Sequence, residues 1–293
     1  MKVKTIRKTI ETKLRDWIDT IDNKDALKLN KDVEKNLIVT GGCITSMFLN
    51  EQVNDFDIYI QDMDVLIRLA QYYCPSKVLD GRKRDEYISD RWEEEPDEDY
   101  VAEEYIRIKN LKYDQVKLDI PSIGESREVN EDKLYQPKFL SQNAISLTGD
   151  IQIVLRFNGT PEQIHKTFDF IHATNYFTFK DGLVTNINAL ECILTKELKY
   201  QGSQYPLTSI IRMKKFIQRG WTINAGEMLK IMFQISLLNL TNIETLEEQL
   251  IGIDVAYFGL LIDTLRGVDT TKINSYYINK IIDRVFNQSE EEV

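Results

Sequence analysis

One stretch restricts the fold of this chain more than any other. Leu37-Ile-Val-Thr40 is an apolar run that ends in Gly41-Gly42. Ile44 to Leu49 then has the apolar density of a helix, and Val53 to Ile60 is a second apolar run with Asp55 and Asp57 near its start. The pattern predicts strand, glycine turn, helix, strand. Side chains alternate across a strand, so positions i and i+2 share a face. Asp55 and Asp57 are therefore expected side by side, with Phe56 and Ile58 turned into the core. Two adjacent carboxylates repel unless a cation lies between them. Mg2+ suits them, because it prefers hard oxygen ligands and also holds substrate phosphates. The glycines let backbone pass close to such phosphates, and the helix after them aims free N–H groups and a positive dipole end at the same place. Thr45 and Ser46 are candidate hydroxyl donors there.

The ordered pair, Gly41-Gly42 then Asp55-Phe-Asp57, resembles the nucleotidyltransferase superfamily of DNA polymerase beta, poly(A) polymerase and the CCA-adding tRNA enzymes. The nearest in look is the CCA-adding and poly(A) group. The resemblance implies an α+β fold: a mixed-sheet catalytic domain followed by an all-helical domain, with the active site in the cleft between them. It implies Mg2+-dependent transfer of a nucleoside monophosphate from an NTP, such as ATP, to a hydroxyl of RNA, with tRNA as one candidate. Asp55 and Asp57 would hold the metal. Gly41, Gly42, Thr45 and Ser46 would meet the triphosphate. A third carboxylate is expected on a neighbouring strand. Asp119, within Leu118-Asp-Ile120, has that setting; by chain order Ile151-Gln-Ile153 is the alternative, offering neutral Gln152. Where this group usually follows the glycines with Arg-Asp, the chain has Thr45-Ser46. The base-selecting acidic–arginine motif of the CCA enzymes is not visible. Two rival readings follow: transfer to a protein hydroxyl, and a catalytically degenerate module that binds or scaffolds.

Composition narrows the classes further. The 293 residues carry a net charge of −10, which argues against general affinity for nucleic acid and leans toward a protein acceptor. No run reaches membrane-spanning length, so no membrane partner is expected. The basic start lacks a signal-peptide core, and Cys43, Cys74 and Cys192 have no zinc spacing. Both features point to a cytoplasmic protein in a reducing compartment.

The rest divides into two predicted domains, 1–184 and 185–293. In the first, Ile6, Ile10, Leu14, Trp17, Ile18 and Ile21 give residues 3–21 a helical apolar face. Met63–Tyr73 reads as a helix ended by Cys74-Pro75. A charged insert lies near 80–104, and its acidic block 93–99 reads as exposed loop. Tyr105–Lys109 and Val116–Ile120 alternate like strands, and 125–134 reads as loop or short helix. Residues 143–157 form two strand-like runs about Thr148-Gly-Asp150, and Thr160-Pro161 opens a helix with Thr160 as cap. Residues 172–179 look like a further strand. Helices are predicted over 186–198, 206–219, 225–238, 244–251, 255–265 and 273–285, and a frayed tail over 289–293. On the second of these, Arg212, Lys215 and Arg219 make a basic stripe suited to phosphates, with Leu207, Ile210, Ile211 and Ile217 expected inward.

Overall fold

A computed structural model describes residues 2–21, 28–92, 103–121, 124–130 and 132–240, with isolated positions beyond. In chain order these carry α1 (Val3–Ile18), α2 (Leu29–Asn36), β1 (Leu37–Thr40), α3 (Gly42–Leu49), β2 (Phe56–Ile60) and α4 (Met63–Tyr73). Then come β3 (Val78–Asp80), α5 (Arg84–Arg91), α6 (Glu103–Lys109), β4 (Val116–Leu118), β5 (Glu125–Ser126), β6 (Pro137–Ser141), β7 (Ala144–Leu147), β8 (Ile151–Val154) and α7 (Pro161–His165). The remainder is β9 (Tyr176–Thr178), β10 (Gly182–Val184), α8 (Ile187–Thr195), β11 (Glu197–Leu198), α9 (Pro206–Gln218), β12 (Thr222–Ile223) and α10 (Ala225–Ser236). The fold is α+β. The acidic block 93–99 and the helices expected over 244–251, 255–265 and 273–285 lie wholly or largely outside the described residues. Among those residues no helix is long and apolar enough to cross a membrane.

The chain divides into two compact units. The first holds residues 1–166 and 172–194; the second holds 167–171 and 195–293. The first is built on an eight-stranded sheet of order β10-β9-β1-β2-β8-β7-β6-β5. Only β2 and β8 pair in parallel; the other neighbours are antiparallel. β1 is buried throughout, and β8 alternates, with Ile151 and Ile153 buried and Gln152 and Val154 half-buried. α1 lays Ile6, Ile10, Leu14 and Trp17 into the same core as Val39, Ile58 and Phe177. Each such side chain, fully buried, stabilises by roughly 1.5–3 kcal/mol against leaving it in water.

Local chemistry sets the element ends. Asp62 accepts from the backbone N–H groups of Asp64 and Val65 and starts α4. Thr160 and Gln163 form a reciprocal capping box on α7. Asn50, left-handed at φ 57°, closes α3.

Two expectations are corrected, and one segment given no element from the sequence is ordered. Tyr105–Lys109 belongs to helix α6, not a strand: Tyr105, Ile108 and Leu111 are buried at spacings of three, which a helix aligns on one face. The start of the charged insert is ordered, a 3-10 turn over Gly81–Lys83 running into α5, because Asp80 caps it and holds Arg82. Glu125–Ser126 forms a short strand on β6, pairing Glu125 with Leu140.

The second unit holds α9, α10 and a short parallel pair, β11 with β12. The buried face of α9 carries Pro206, Thr208 and Ser209, while Ile210 and Ile217, expected inward, are exposed. On α10 only Ile231 is buried; Met228 and Met232 face outward.

Candidate active site

Three adjacent strands and one helix start define the site. β1 ends at Thr40, and Gly41 turns the chain into α3. Gly41 adopts φ 91°, ψ −147°, a region that essentially only glycine occupies. Its N–H donates to the Ala173 carbonyl at 3.1 Å, which fixes the turn. A Cβ added there would stand 3.6 Å from Asp57 Oδ2, so about the space of one methyl group separates the glycine from that carboxylate. Gly42 differs: a Cβ there would meet nothing within 4 Å. Gly42 is exposed, so α3 begins at the surface with the unsatisfied N–H groups and positive dipole end of a helix.

Asp57 lies on β2 between buried Phe56 and Ile58 and is half-buried. Asp55 stands one residue ahead of β2 and is exposed. The strand is pinned at this point, because the Phe56 N–H donates to the Asp150 carbonyl at 2.7 Å. Both carboxylates are hard oxygen donors, and the bare glycine turn leaves room for phosphate beside them. This donor set fits a hard divalent cation shared with a substrate.

The neighbour across the strands is Gln152. Parallel pairing of β2 with β8 sets Asp57 opposite Gln152. Gln152 Nε2 donates to Asp57 Oδ1 at 2.9 Å, and Ser146 donates its hydroxyl to Gln152 Oε1 at 3.1 Å. Asp119, the other candidate, lies elsewhere. It follows β4, in the separate two-stranded sheet with β3, and its two oxygens accept from Arg91 at 2.8 Å and Arg107 at 3.0 Å. Among the described residues no three Asp, Glu, His or Cys side chains gather as a metal-binding group.

The hydroxyls of α3 turn inward. Thr45 is 1% exposed and donates to the His172 carbonyl at 3.1 Å, so its hydroxyl serves the fold rather than the open space. Ser46 is buried as well. The Cys43 thiol, one turn away, is pushed up by burial and further by the Asp57 carboxylate, which keeps it protonated and unreactive.

Behind the turn lies a residue given no role from sequence. His165, on the last turn of α7, shares a 2.9 Å hydrogen bond with Thr40 Oγ1, while Thr40 also donates to the Asn175 carbonyl at 2.8 Å. Burial lowers the His165 pKa from 6.5 to about 4, with nearby Glu162 opposing, so the ring is neutral at neutral pH. No local pattern marks this contact, which joins positions 125 apart.

Arg212 and Lys215 belong to the second unit. Arg212 pairs with Asp169, whose side chain is 2% exposed, and Lys215 is exposed. Arg212 thus compensates a buried charge within its own unit.

Residues 8–196 match the model of the Gabija anti-defense 2 family. The chain belongs to the Gabija anti-defense 2 family. The match ends close to the last residue of the first unit, so it covers the sheet that bears Gly41 and Asp57. A relative named Gabija anti-defense 2, from Bacillus phage SPbetaL7, is 21% identical over 263 residues. The alignment covers 89% of this chain and 50% of that relative, so this chain spans half the relative's length. Among solved structures, the Thermotoga maritima CCA-adding enzyme complexed with tRNA is 14% identical, with 95% of this chain and 62% of that chain covered and a TM-score of 0.38. The Bacillus stearothermophilus CCA-adding enzyme in complex with CTP is 10% identical, with 82% and 51% covered and a TM-score of 0.35. Likenesses this remote carry no argument about chemistry in this chain.

Proposed function

We propose that this Gabija anti-defense 2 family chain is a divalent-cation-dependent nucleotidyltransferase and that it acts against Gabija defence, as the name of its family says. The reaction is transfer of a nucleoside monophosphate from an NTP to a hydroxyl. The hydroxyl oxygen forms a bond to the α-phosphorus, the bond from that phosphorus to the bridging oxygen breaks, pyrophosphate leaves, and the hydroxyl proton passes to a base. The observation that carries this reading is the approach of Asp57 Oδ2 to Gly41, within contact range of the methyl that the glycine lacks, with Gly42 in open space and Asp55 exposed two residues ahead of Asp57.

Asp55 and Asp57 would hold Mg2+, which when bound offsets triphosphate charge. The N–H groups at the start of α3 would receive phosphate oxygens, as helix starts do. Gly42 leaves the space that a phosphate needs. Gln152 orients Asp57 through its amide, and neutral His165 buttresses the Thr40 end of β1. The acceptor is a hydroxyl of RNA or of protein; the net charge of −10 supports the protein acceptor.

A second reading, a catalytically silent module that retains the fold, is favoured by Gln152, a neutral group where a third carboxylate would serve. Incubation with each α-labelled NTP, Mg2+ and either RNA or protein acceptors separates the readings. Label on one acceptor class, lost in Asp55→Asn and Asp57→Asn, supports transfer and names the acceptor. No label with any NTP overturns transfer in favour of the silent module. Expressing the chain in cells that carry Gabija and plating phage tests the counter-defence role: unchanged plating efficiency would sink it.

A further inference from the structure

Resting on the reading of Asp55 and Asp57 as cation ligands, we propose that the site takes a single divalent cation and that Gln152 is the positioning residue that limits it to one. The geometry comes from three neighbouring strands. β7 runs antiparallel to β8 with Ser146 opposite Gln152, and β8 runs parallel to β2 with Gln152 opposite Asp57. Ile151 and Ile153, on either side of Gln152, are fully buried, and so is Ile58 beyond Asp57. The three polar side chains therefore lie in a row on the other face and join through two hydrogen bonds, Ser146 to Gln152 and Gln152 to Asp57.

The direction of the row is set by chemistry. A carboxylate only accepts, so the amide must present its NH2 to Asp57, which leaves its oxygen for the Ser146 hydroxyl. The reverse orientation would set an amide oxygen against a carboxylate oxygen. Asp57 Oδ1 is thus held by a neutral donor, while Oδ2 is the atom that a Cβ on Gly41 would meet.

Ligand supply gives the same count. Asp55 and Asp57 offer the carboxylates that one divalent cation shared with a substrate uses; a carboxylate in place of Gln152 would add an oxygen ligand for a second. An amide NH2 does the reverse. It turns positive hydrogen atoms toward Asp57, and its oxygen is turned away from Asp57 to the Ser146 hydroxyl. The row is therefore a built substitute for a second cation.

The test counts Mn2+ on the full chain by electron paramagnetic resonance, a readout independent of turnover. About one Mn2+ is expected on the wild type and about two on Gln152→Asp or Gln152→Glu, the larger of which is isosteric with glutamine. Circular dichroism checks that both variants fold, and the wild-type count stands whether or not they do. Two Mn2+ on the wild type would overturn the single-cation proposal while leaving Asp55 and Asp57 as ligands. One on the wild type and one on both folded variants would overturn the role of Gln152. None on the wild type would overturn this proposal and the underlying reading together.

Discussion

Gly41 and Gly42 are neighbours with opposite expected responses to the same substitution. Gly41→Ala puts a Cβ on a residue at φ 91°, ψ −147°. That conformation costs a side chain of order 1–3 kcal/mol. The new methyl itself meets only ordinary contact, 3.6 Å from Asp57 Oδ2, so the backbone supplies most of the loss. For a unit of this size, about 2 kcal/mol lowers Tm by roughly 4–8 °C. Gly42→Ala lies at the first position of α3 with open space around the new methyl. Its stability is expected within about 0.5 kcal/mol of wild type. The methyl nevertheless enters the space assigned to phosphate, so NTP affinity is expected to fall by tenfold or more, about 1.4 kcal/mol. Differential scanning fluorimetry reads the first quantity and calorimetric titration with an NTP and Mg2+ reads the second. A Gly42→Ala protein that is unstable, or that is stable and binds NTP as wild type does, would refute the reasoning. So would a Gly41→Ala protein that melts with wild type.

Other consequences are as direct. His165 is neutral in the fold and its pKa falls from 6.5 to about 4, so the unfolded chain binds the extra proton between those values. Stability is full above pH 6.5 and is lost as pH falls toward 4; partial exposure trims the roughly 3 kcal/mol implied by the shift to about 1–2 kcal/mol. His165→Gln, compared with wild type by urea unfolding across that window, should flatten this part of the profile; an unchanged slope would count against it. Thr45→Val leaves the buried His172 carbonyl without the Thr45 donor, a loss of about 1–2 kcal/mol, with NTP affinity unchanged. An affinity loss with intact stability would return Thr45 to the ligand. Arg212→Ala strips the ion-pair partner from buried Asp169, and because Arg212 is itself 42% exposed the expected loss is about 1–3 kcal/mol, recovered in part by adding Asp169→Asn. Additive losses in that double-mutant cycle would contradict the pairing.

How much was legible in the sequence depended on the range of the signal. The β1–glycine–α3–β2 run, α4, the β7–β8 hairpin and the Thr160 cap rest on neighbours a few residues apart, and there the expected and observed elements agree. Tyr105–Lys109 alternates over five residues, which also places Tyr105 and Ile108 at helical spacing, and the core selects the helix. β6 opens on Pro137, a residue that ordinarily demotes a strand, and so gives little local signal. Within the candidate site, the proximity of Gly41 and Asp57 follows from local order. The choice between Asp119 and Gln152 could not be made that way. It depends on parallel register between strands whose paired residues, Asp57 and Gln152, are 95 positions apart, and both candidates have apolar neighbours. On α10, Met228 and Met232 fit the apolar spacing of a core face, yet periodicity alone does not say which face of a helix is covered.

The most direct measurement is calorimetric titration of the wild-type chain with NTP in the presence and absence of Mg2+, repeated on Asp55→Asn/Asp57→Asn. NTP binding that requires Mg2+ in the wild type and vanishes in the double variant is the expected result. Binding that ignores Mg2+, or that survives loss of both carboxylates, would contradict a nucleotide site built on Gly41, Asp55 and Asp57.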